Sequence, residues 1–378
     1  MKTTIGLNLR GVLLTAAFLV ALGGATHASA RSYLIDLNSR TATDLGSLGG
    51  DYSYASAIND AGQVVGTSYS ANGHTHAFIT GVNGMGVRDL GSLDGGFSEA
   101  SAINDAGQVV GISSTAEGVG HAFITGPDGI GMRDLGTLGD GSSTAYGINE
   151  AGQVAGYFSL RNFSTYHAFI TGPNGTGMRD LGTPGRDISE AYGINDTGQV
   201  AVVSDLGGER AFITGSDGMG MRNLGTLPGG NYSWPTAINN AGQVVGFSDR
   251  MNNAEDIHAF ITGPDGMGMR DLGALGGSYS RAWGINDAGQ VAGSSGEHAF
   301  ITGPDGTGMT DLNSLVDLPA GVVLTGASGI NNAGQVIASG NDPIPAIPEP
   351  ESYALLLAGL ALIAVVARRK KDIYVLAA

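Results

Sequence analysis

Ile58-Asn59-Asp60-Ala61-Gly62-Gln63-Val64-Val65-Gly66 is a nine-residue phrase that returns, with small changes, along most of the chain. Its asparagine recurs at Asn59, Asn104, Asn149, Asn195, Asn239, Asn286 and Asn331, at steps of 45, 45, 46, 44, 47 and 45 residues. A period of this length denotes an array of supersecondary units rather than one domain with a single active site.

Each unit predicts four short strands, A to D. Strand A ends at Ile-Asn, as in SYASAIN. Asn59-Asp60-Ala61-Gly62 follows, with asparagine first and glycine fourth, the signature of a type I turn whose glycine supplies a left-handed residue. Strand B is Gln63 to Gly66. Strand C is HAFITG, with Phe78 and Thr80 on one face and Ala77 and Ile79 on the other. Pro127-Asp128-Gly129-Ile130-Gly131 is a second turn, and MRDLG is strand D. Four antiparallel strands in about 45 residues match one blade of a β-propeller. Strand A is rich in alanine, glycine and serine, which suits a crowded inner strand. A β-solenoid is the alternative, but its coils are shorter and seldom hold two hairpin turns.

The ends of the array support a closed ring. The last unit supplies only strands A and B, TGASGIN and QVIASG. The first begins with orphans: Ser32-Tyr33-Leu34-Ile35 stands where HAFI belongs, and Thr43-Asp44-Leu45-Gly46 where MRDLG belongs. The fold expected is therefore all-β, a seven-bladed β-propeller over residues 31–342, whose N-terminal strands complete the last blade.

Composition agrees. The chain has 378 residues, of which 65 are glycine, the turn former that many short strands need. Hydrophobic residues at 42% allow a packed core and argue against disorder. Cysteine is absent, so disulfides say nothing of the compartment. Between Arg31 and Ile347, 12 arginines face 31 acidic residues, a formal charge of −19. That surface repels phosphate backbones and excludes nucleic acid as a partner.

Both ends read as addresses. Residues 1–30 have the form of a secretory signal: Lys2 and Arg10, an apolar stretch from Val12 to Ala25, then Ala28-Ser29-Ala30 in the small-x-small pattern cut by signal peptidase. At the other end, a Pro-rich linker (343–352) contains Pro348-Glu349-Pro350. An uncharged apolar run, Tyr353 to Ala367, follows as the expected transmembrane segment. Residues 368–378 open with Arg368-Arg369-Lys370-Lys371 and should stay cytoplasmic, placing the repeats outside. The run has 15 residues, short for a span of ~17–25, and basic side chains can snorkel to cover the deficit.

This tripartite tail resembles the PEP-CTERM sorting signal of Gram-negative bacteria. The resemblance implies export, anchoring by the C-terminal segment, and cleavage by a membrane protease, exosortase, on the way to the cell surface. Pro348, Glu349 and Pro350 match the recognition tripeptide; Arg368 and Arg369 match the basic cluster. The seven residues DIYVLAA beyond that cluster depart from the pattern. The HAFI and DLG phrases, over roughly residues 32–340, resemble the HAF-repeat family of extracellular proteins, defined by repeats and not by an activity. The fourth unit departs most, with Arg210 for histidine and Val202-Val203 for the strand B glycine.

Repeated polar residues invite site readings. His76, His121, His167, His258 and His298 would lie on one ring, a full blade apart, too far to share a metal with ligands at ~2 Å. Structural hydrogen bonds between strands or blades are expected of them. Asp60, Asp105, Asp196 and Asp287 suggest calcium, but Glu150, Asn240 and Asn332 hold the same place elsewhere, and turn chemistry suffices. Arg88, Arg133, Arg179, Arg222 and Arg270 stand beside Asp89, Asp134, Asp180, Asn223 and Asp271. Neighbours on a strand face opposite sides, so cross-strand or cross-blade pairing is expected. Gln63, Gln108, Gln153, Gln199, Gln243, Gln290 and Gln335 should bond backbone between blades or line the channel. There is no G-x-S-x-G, H-E-x-x-H or Walker loop, and no metal or cofactor is expected.

The A–B and C–D turns repeat almost unchanged on one face, while the other face varies. From the strand B glycine position to the strand C histidine position the steps are 10, 10, 11, 8, 12 and 5 residues. Variable loops on a rigid scaffold are where binding resides. The third unit offers Tyr157, Phe158, Phe163 and Tyr166; the D–A connections should hold Tyr52, Phe97, Tyr192, Tyr232, Trp234, Tyr279 and Trp283. Tyr157, Phe163, Trp234 and Trp283 form the candidate ligand face. The function expected is a non-enzymatic structural or interaction module of the envelope or exopolysaccharide matrix. The alternatives are a lectin-like propeller and a polysaccharide-degrading enzyme.

Overall fold

The computed structural model describes residues 30–160, 165–186, 188–251 and 253–341. They form seven four-stranded antiparallel sheets, each ordered A-B-C-D. In blade 2 these strands are Ser98–Ile103, Val109–Ser114, Gly120–Ile124 and Arg133–Gly136. Blade 7 joins the two ends of the propeller: Val323–Ile330 and Gln335–Asn341 are followed across the sheet by Ala30–Asp36 and Thr41–Asp44. Seven register pairs, from Ala30↔Asn341 to Asp36↔Gln335, bind the closing strands. The seven-bladed, terminally closed ring read from the sequence is the fold found.

Both faces of each blade are buried, so strand alternation sorts side chains between two interfaces rather than between core and water. Ala77 and Ile79 pack with Ala100, Ile103, Val109 and Phe123 of blade 2. Phe78, between them in sequence, packs with Leu34, Leu45 and Ile337 of blade 7. Seven such clusters fill the seven gaps between blades, all within Ala30–Asn341. Ser29–Asp342 forms one compact unit. The strand C phenylalanines Phe78, Phe123, Phe169, Phe260 and Phe300 are fully buried, each worth ~1.5–3 kcal/mol over exposure.

The two turns form as their residues dictate. Gly62 has φ +72° and donates to the Asn59 carbonyl at 3.0 Å. In the C–D turn, Asp128 (φ 53°) and Gly129 (φ 66°) are both left-handed, and the Ile130 N–H reaches the Pro127 carbonyl. That is a type I′ turn, for which Asp-Gly and Asn-Gly are preferred. A Cβ on Gly129 would also lie 2.8 Å from Leu90 of blade 1, so only glycine fits.

Two closed rings of hydrogen bonds tie the A–B turns together. Each asparagine Nδ2 donates to its own glutamine Oε1 and to the backbone carbonyl of the next blade's asparagine: Asn59 to Asn104, Asn104 to Asn149, and onward until Asn331 reaches Asn59. Each asparagine Oδ1 accepts the glutamine backbone N–H, as from Gln63 at 2.9 Å. The residue after asparagine makes the second ring. The Asp105 carboxylate accepts the Asp60 N–H, Glu150 accepts that of Asp105, and Asp60 accepts that of Asn332. These side chains thus cap the preceding blade's turn, a role the turn pattern alone did not show. The glutamines also differ from expectation. They bond side chains rather than backbone across blades, as Gln108 to Asn174 and Gln335 to Asn83.

Asn149 is 3% exposed, with Nδ2 2.8 Å from Gln153 Oε1 and 3.0 Å from the Asn195 carbonyl. Asn149→Ala should cost about 2–4 kcal/mol in denaturant unfolding, because it strands buried partners. Asn149→Asp should cost more, because it points an acceptor at two oxygens.

Candidate functional site

The constant face holds the turns and their arginine clamps, while the histidines stand at the start of strand C, at the other end of each blade. His76, His121, His167, His258 and His298 each contact, through Nδ1, the strand D aspartate of their own blade at 2.7–2.9 Å. The arginines reach the other way. Arg133 donates to the Asn174 carbonyl at 2.6 Å and Arg179 to that of Asp217 at 2.7 Å. Arg88, Arg222 and Arg270 contact Asp128, Asp265 and Asp305 in the same manner. Aspartate therefore pairs across the sheet and arginine across the blade gap. In blade 4, Arg210 and Asn223 replace both members of the histidine–aspartate pair together. Among the described residues no group of three or more His, Cys, Asp or Glu is placed to hold a metal.

The seven A strands line a central channel. At the constant face it opens into a 270 Å³ recess ringed by the turn residues and by Ile58, Ile103, Ile148 and their equivalents. Farther in, a 210 Å³ section is lined by the residue three before each asparagine: Ser56, Ser101, Tyr146, Tyr192, Thr236, Trp283 and Ser328. This position changes from blade to blade while its neighbours repeat. It was the signal in the sequence for a channel-facing side chain, and the reading by loops missed it. Tyr52, Tyr192, Trp234 and Trp283 belong to strand A, in Gly49–Ile58, Ser189–Ile194, Ser233–Ile238 and Ser280–Ile285, and not to the D–A connections; Tyr157 and Phe158 belong to strand B, in Val154–Ser159, and not to the B–C loop.

The aromatic residues form a continuous arc over blades 3 to 6. Tyr146 stacks on Tyr192 at 4.9 Å and lies 5.8 Å from Tyr157, which meets Tyr166 edge-on at 5.4 Å. Tyr192 meets Trp234 at 5.5 Å, Trp234 stacks on Phe247 at 6.3 Å, and Phe247 meets Trp283 at 6.1 Å. The Arg281 guanidinium lies 4.4 Å over the Phe247 ring and 5.1 Å from that of Tyr279. Three of the four candidate ligand residues, Tyr157, Trp234 and Trp283, are thus brought together; Phe163 lies outside the described residues. Trp283 is 37% exposed, and Phe247 only 9%. Burial pushes the Tyr146 and Tyr192 hydroxyls well above the usual tyrosine range. The Tyr192 hydroxyl donates to Glu190 Oε2 at 2.6 Å.

A separate groove of 390 Å³ opens between blades 1 and 2. Tyr52, Tyr54, Tyr69, Phe97 and Glu99 line it. The Tyr52 and Tyr69 rings lie 5.2 Å apart.

Comparison with known proteins adds an address and a fold. Residues 346–371 match the PEP-CTERM protein-sorting motif. The tail is a sorting signal. The motif marks an exported, membrane-anchored chain sorted to the surface, and it implies processing by exosortase. Pro348, Glu349, Pro350, Arg368 and Arg369 fall within the motif; they, Ala28 and the segments 1–29 and 353–367 lie outside the described residues. Ala30 is the first residue of the closing strand. Among the described residues no helix is long and apolar enough to cross a membrane.

No curated protein matches the chain. Among solved structures, it is similar to an oligogalacturonate lyase in complex with manganese, at 10% identity and TM-score 0.51, over 83% of this chain and 91% of that one. It is similar to oligogalacturonate lyase from Vibrio parahaemolyticus at 9% identity and TM-score 0.50, over 84% and 98%. A prolyl endopeptidase structure aligns at 11% identity and TM-score 0.51, over 72% of this chain and 44% of that one. At such identities the likeness is one of fold.

Glu190 supplies a pH test. Burial raises its carboxyl above the ordinary value of 4.5, with the Tyr192 hydrogen bond opposing. A raised folded value means that this group's stabilising contribution is complete below pH 4.5 and is lost as pH rises through the folded value. Glu190→Gln keeps an acceptor for Tyr192 and removes the desolvated charge. Its melting temperature should exceed the wild type's at about pH 7, and the difference should vanish by about pH 4.

Proposed function

We propose that this protein is a non-enzymatic interaction module of the bacterial envelope or exopolysaccharide matrix. Signal peptidase would release it near Ala30, and exosortase would act on the tail at the surface. One observation carries the reading: a closed propeller with one constant, self-bonded face and one variable face is joined to a sorting signal at residues 346–371. The constant face commits its polar side chains to the ring. The variable face leaves its side chains free to differ between blades, as a binding surface requires. The HAFI and DLG phrases agree with an extracellular repeat protein.

A second reading is favoured by the aromatic arc and the open groove: a lectin-like propeller that binds extracellular polysaccharide. Tyrosine and tryptophan offer rigid apolar faces and polar edges, suited to sugar rings. A polysaccharide-degrading activity is the third reading, and product analysis separates it from the other two.

Cell fractionation tests the sorting. Changing Pro348-Glu349-Pro350 to alanines, or removing Arg368 to Lys371, should leave the chain in the membrane fraction at unprocessed mass. Unchanged mass and surface release in both variants would refute processing through this tail. Incubation of the propeller with bacterial polysaccharides should yield no new products; time-dependent product would overturn the non-enzymatic reading.

A further inference from the structure

The aromatic rings of the variable face fall into two groups that differ in what their faces touch. In the arc, rings stack on or abut each other from Tyr146 to Trp283, and Arg281 covers Phe247. Within the arc Phe247 is 9% exposed and only its end, Trp283, reaches 37%. In the groove of blades 1 and 2, Tyr52, Tyr54 and Tyr69 are 38%, 42% and 47% exposed, beside Phe97. Three neighbouring tyrosines with open surface cost free energy in water unless a partner covers them.

The chemistry of the walls limits that partner. The volume, 390 Å³, falls within the range of ligand clefts. Thr67 and Thr75 add hydroxyls beside the rings. Among the described residues Glu99 is the one carboxylic acid of the lining, and no arginine, lysine or histidine lines the groove. Surrounding groups desolvate its carboxyl and raise it above the usual range. The groove therefore has flat apolar platforms, hydroxyl donors and acceptors, and one carboxyl, on a propeller of net charge −19. An anion finds no counter-charge here. A neutral sugar finds ring faces for its C–H side and a carboxyl for its hydroxyls.

We propose that the groove between blades 1 and 2 is a subsite for neutral hexose units of a glycan chain, with Tyr52 and Tyr69 as the stacking platform and Glu99 as the hydroxyl acceptor. The proposal rests on the lectin-like reading and names its site. It places that site away from Tyr157, Trp234 and Trp283. Glu99 is the one carboxylate among the described lining residues, too few oxygens for calcium, so binding should not depend on that ion.

The test is affinity electrophoresis and titration calorimetry of the propeller, residues 31–347, against neutral glucans and mannans and against polygalacturonate as the acidic probe, with and without calcium. Saturable binding of a neutral glycan is expected, unchanged by a chelator. Tyr69→Ala and Tyr52→Ala should each weaken it about tenfold, as loss of one stacking platform implies. Glu99→Gln should weaken it less. Tyr52 and Tyr69 are exposed, so unchanged melting temperatures will show that the variants fold. Binding lost in Trp283→Ala but kept in Tyr69→Ala would overturn the site and leave the lectin-like reading standing. Preference for polygalacturonate would overturn the neutral class. No binding of any glycan would overturn both.

Discussion

One buried amide holds the ring. The asparagine that follows strand A donates through Nδ2 to the next blade's backbone carbonyl and accepts at Oδ1 the glutamine N–H of its own turn. Seven such bonds close on themselves, from Asn331 back to Asn59. A side chain with a donor and an acceptor on one planar group is needed for this, and it must be short enough to stay in the turn. Asparagine meets both needs. Aspartate lacks the donor and glutamine is too long. The repeat is therefore regular where the ring is made and free to vary elsewhere.

From that constraint follows the division of the molecule into two faces. On the constant face, polar side chains work in relays between blades: asparagine to carbonyl, carboxylate to N–H, arginine to turn carbonyl. The acids at the channel mouth cap backbone donors of the preceding blade, as Asp105 does for the Asp60 N–H. Toward the variable face Thr236 donates to the Ala282 carbonyl and Ser328 to that of Ala55, and among the described residues these bonds do not close into a ring. The residue three before each asparagine ranges from serine to tryptophan. Function, on this scaffold, belongs to what the ring does not use.

Closure by Ala30–Asp36 has a physical reason of the same kind. An open array would leave the strand B edge at Gln335–Asn341 and the inner face of blade 1 unpaired. The N-terminal strands pair that edge along its length and bring Leu34 against Phe78. The missing strands at one end and the surplus at the other made this legible before any coordinates. The two turn types were legible too, since asparagine and glycine at fixed offsets leave few conformations open.

The candidate site was legible only in part. Tyr157, Trp234 and Trp283 were found as variable aromatics, yet all three were assigned to loops, whereas Tyr157 sits on strand B and the tryptophans on strand A. Periodicity counts residues along a chain and does not say which strand lies nearest the axis. Tyr54, Tyr69 and Glu99 were not singled out, because nothing local separates an exposed tyrosine from one stacked on a neighbour. By itself, the sequence determined the number of blades, the order of strands, the closure and the sorting address, because each is written in repeats or contiguous motifs. The tertiary structure alone decided which partners the histidines, arginines and glutamines take and which aromatic faces remain open. Those depend on distances across blade gaps, set by packing between residues some 45 positions apart.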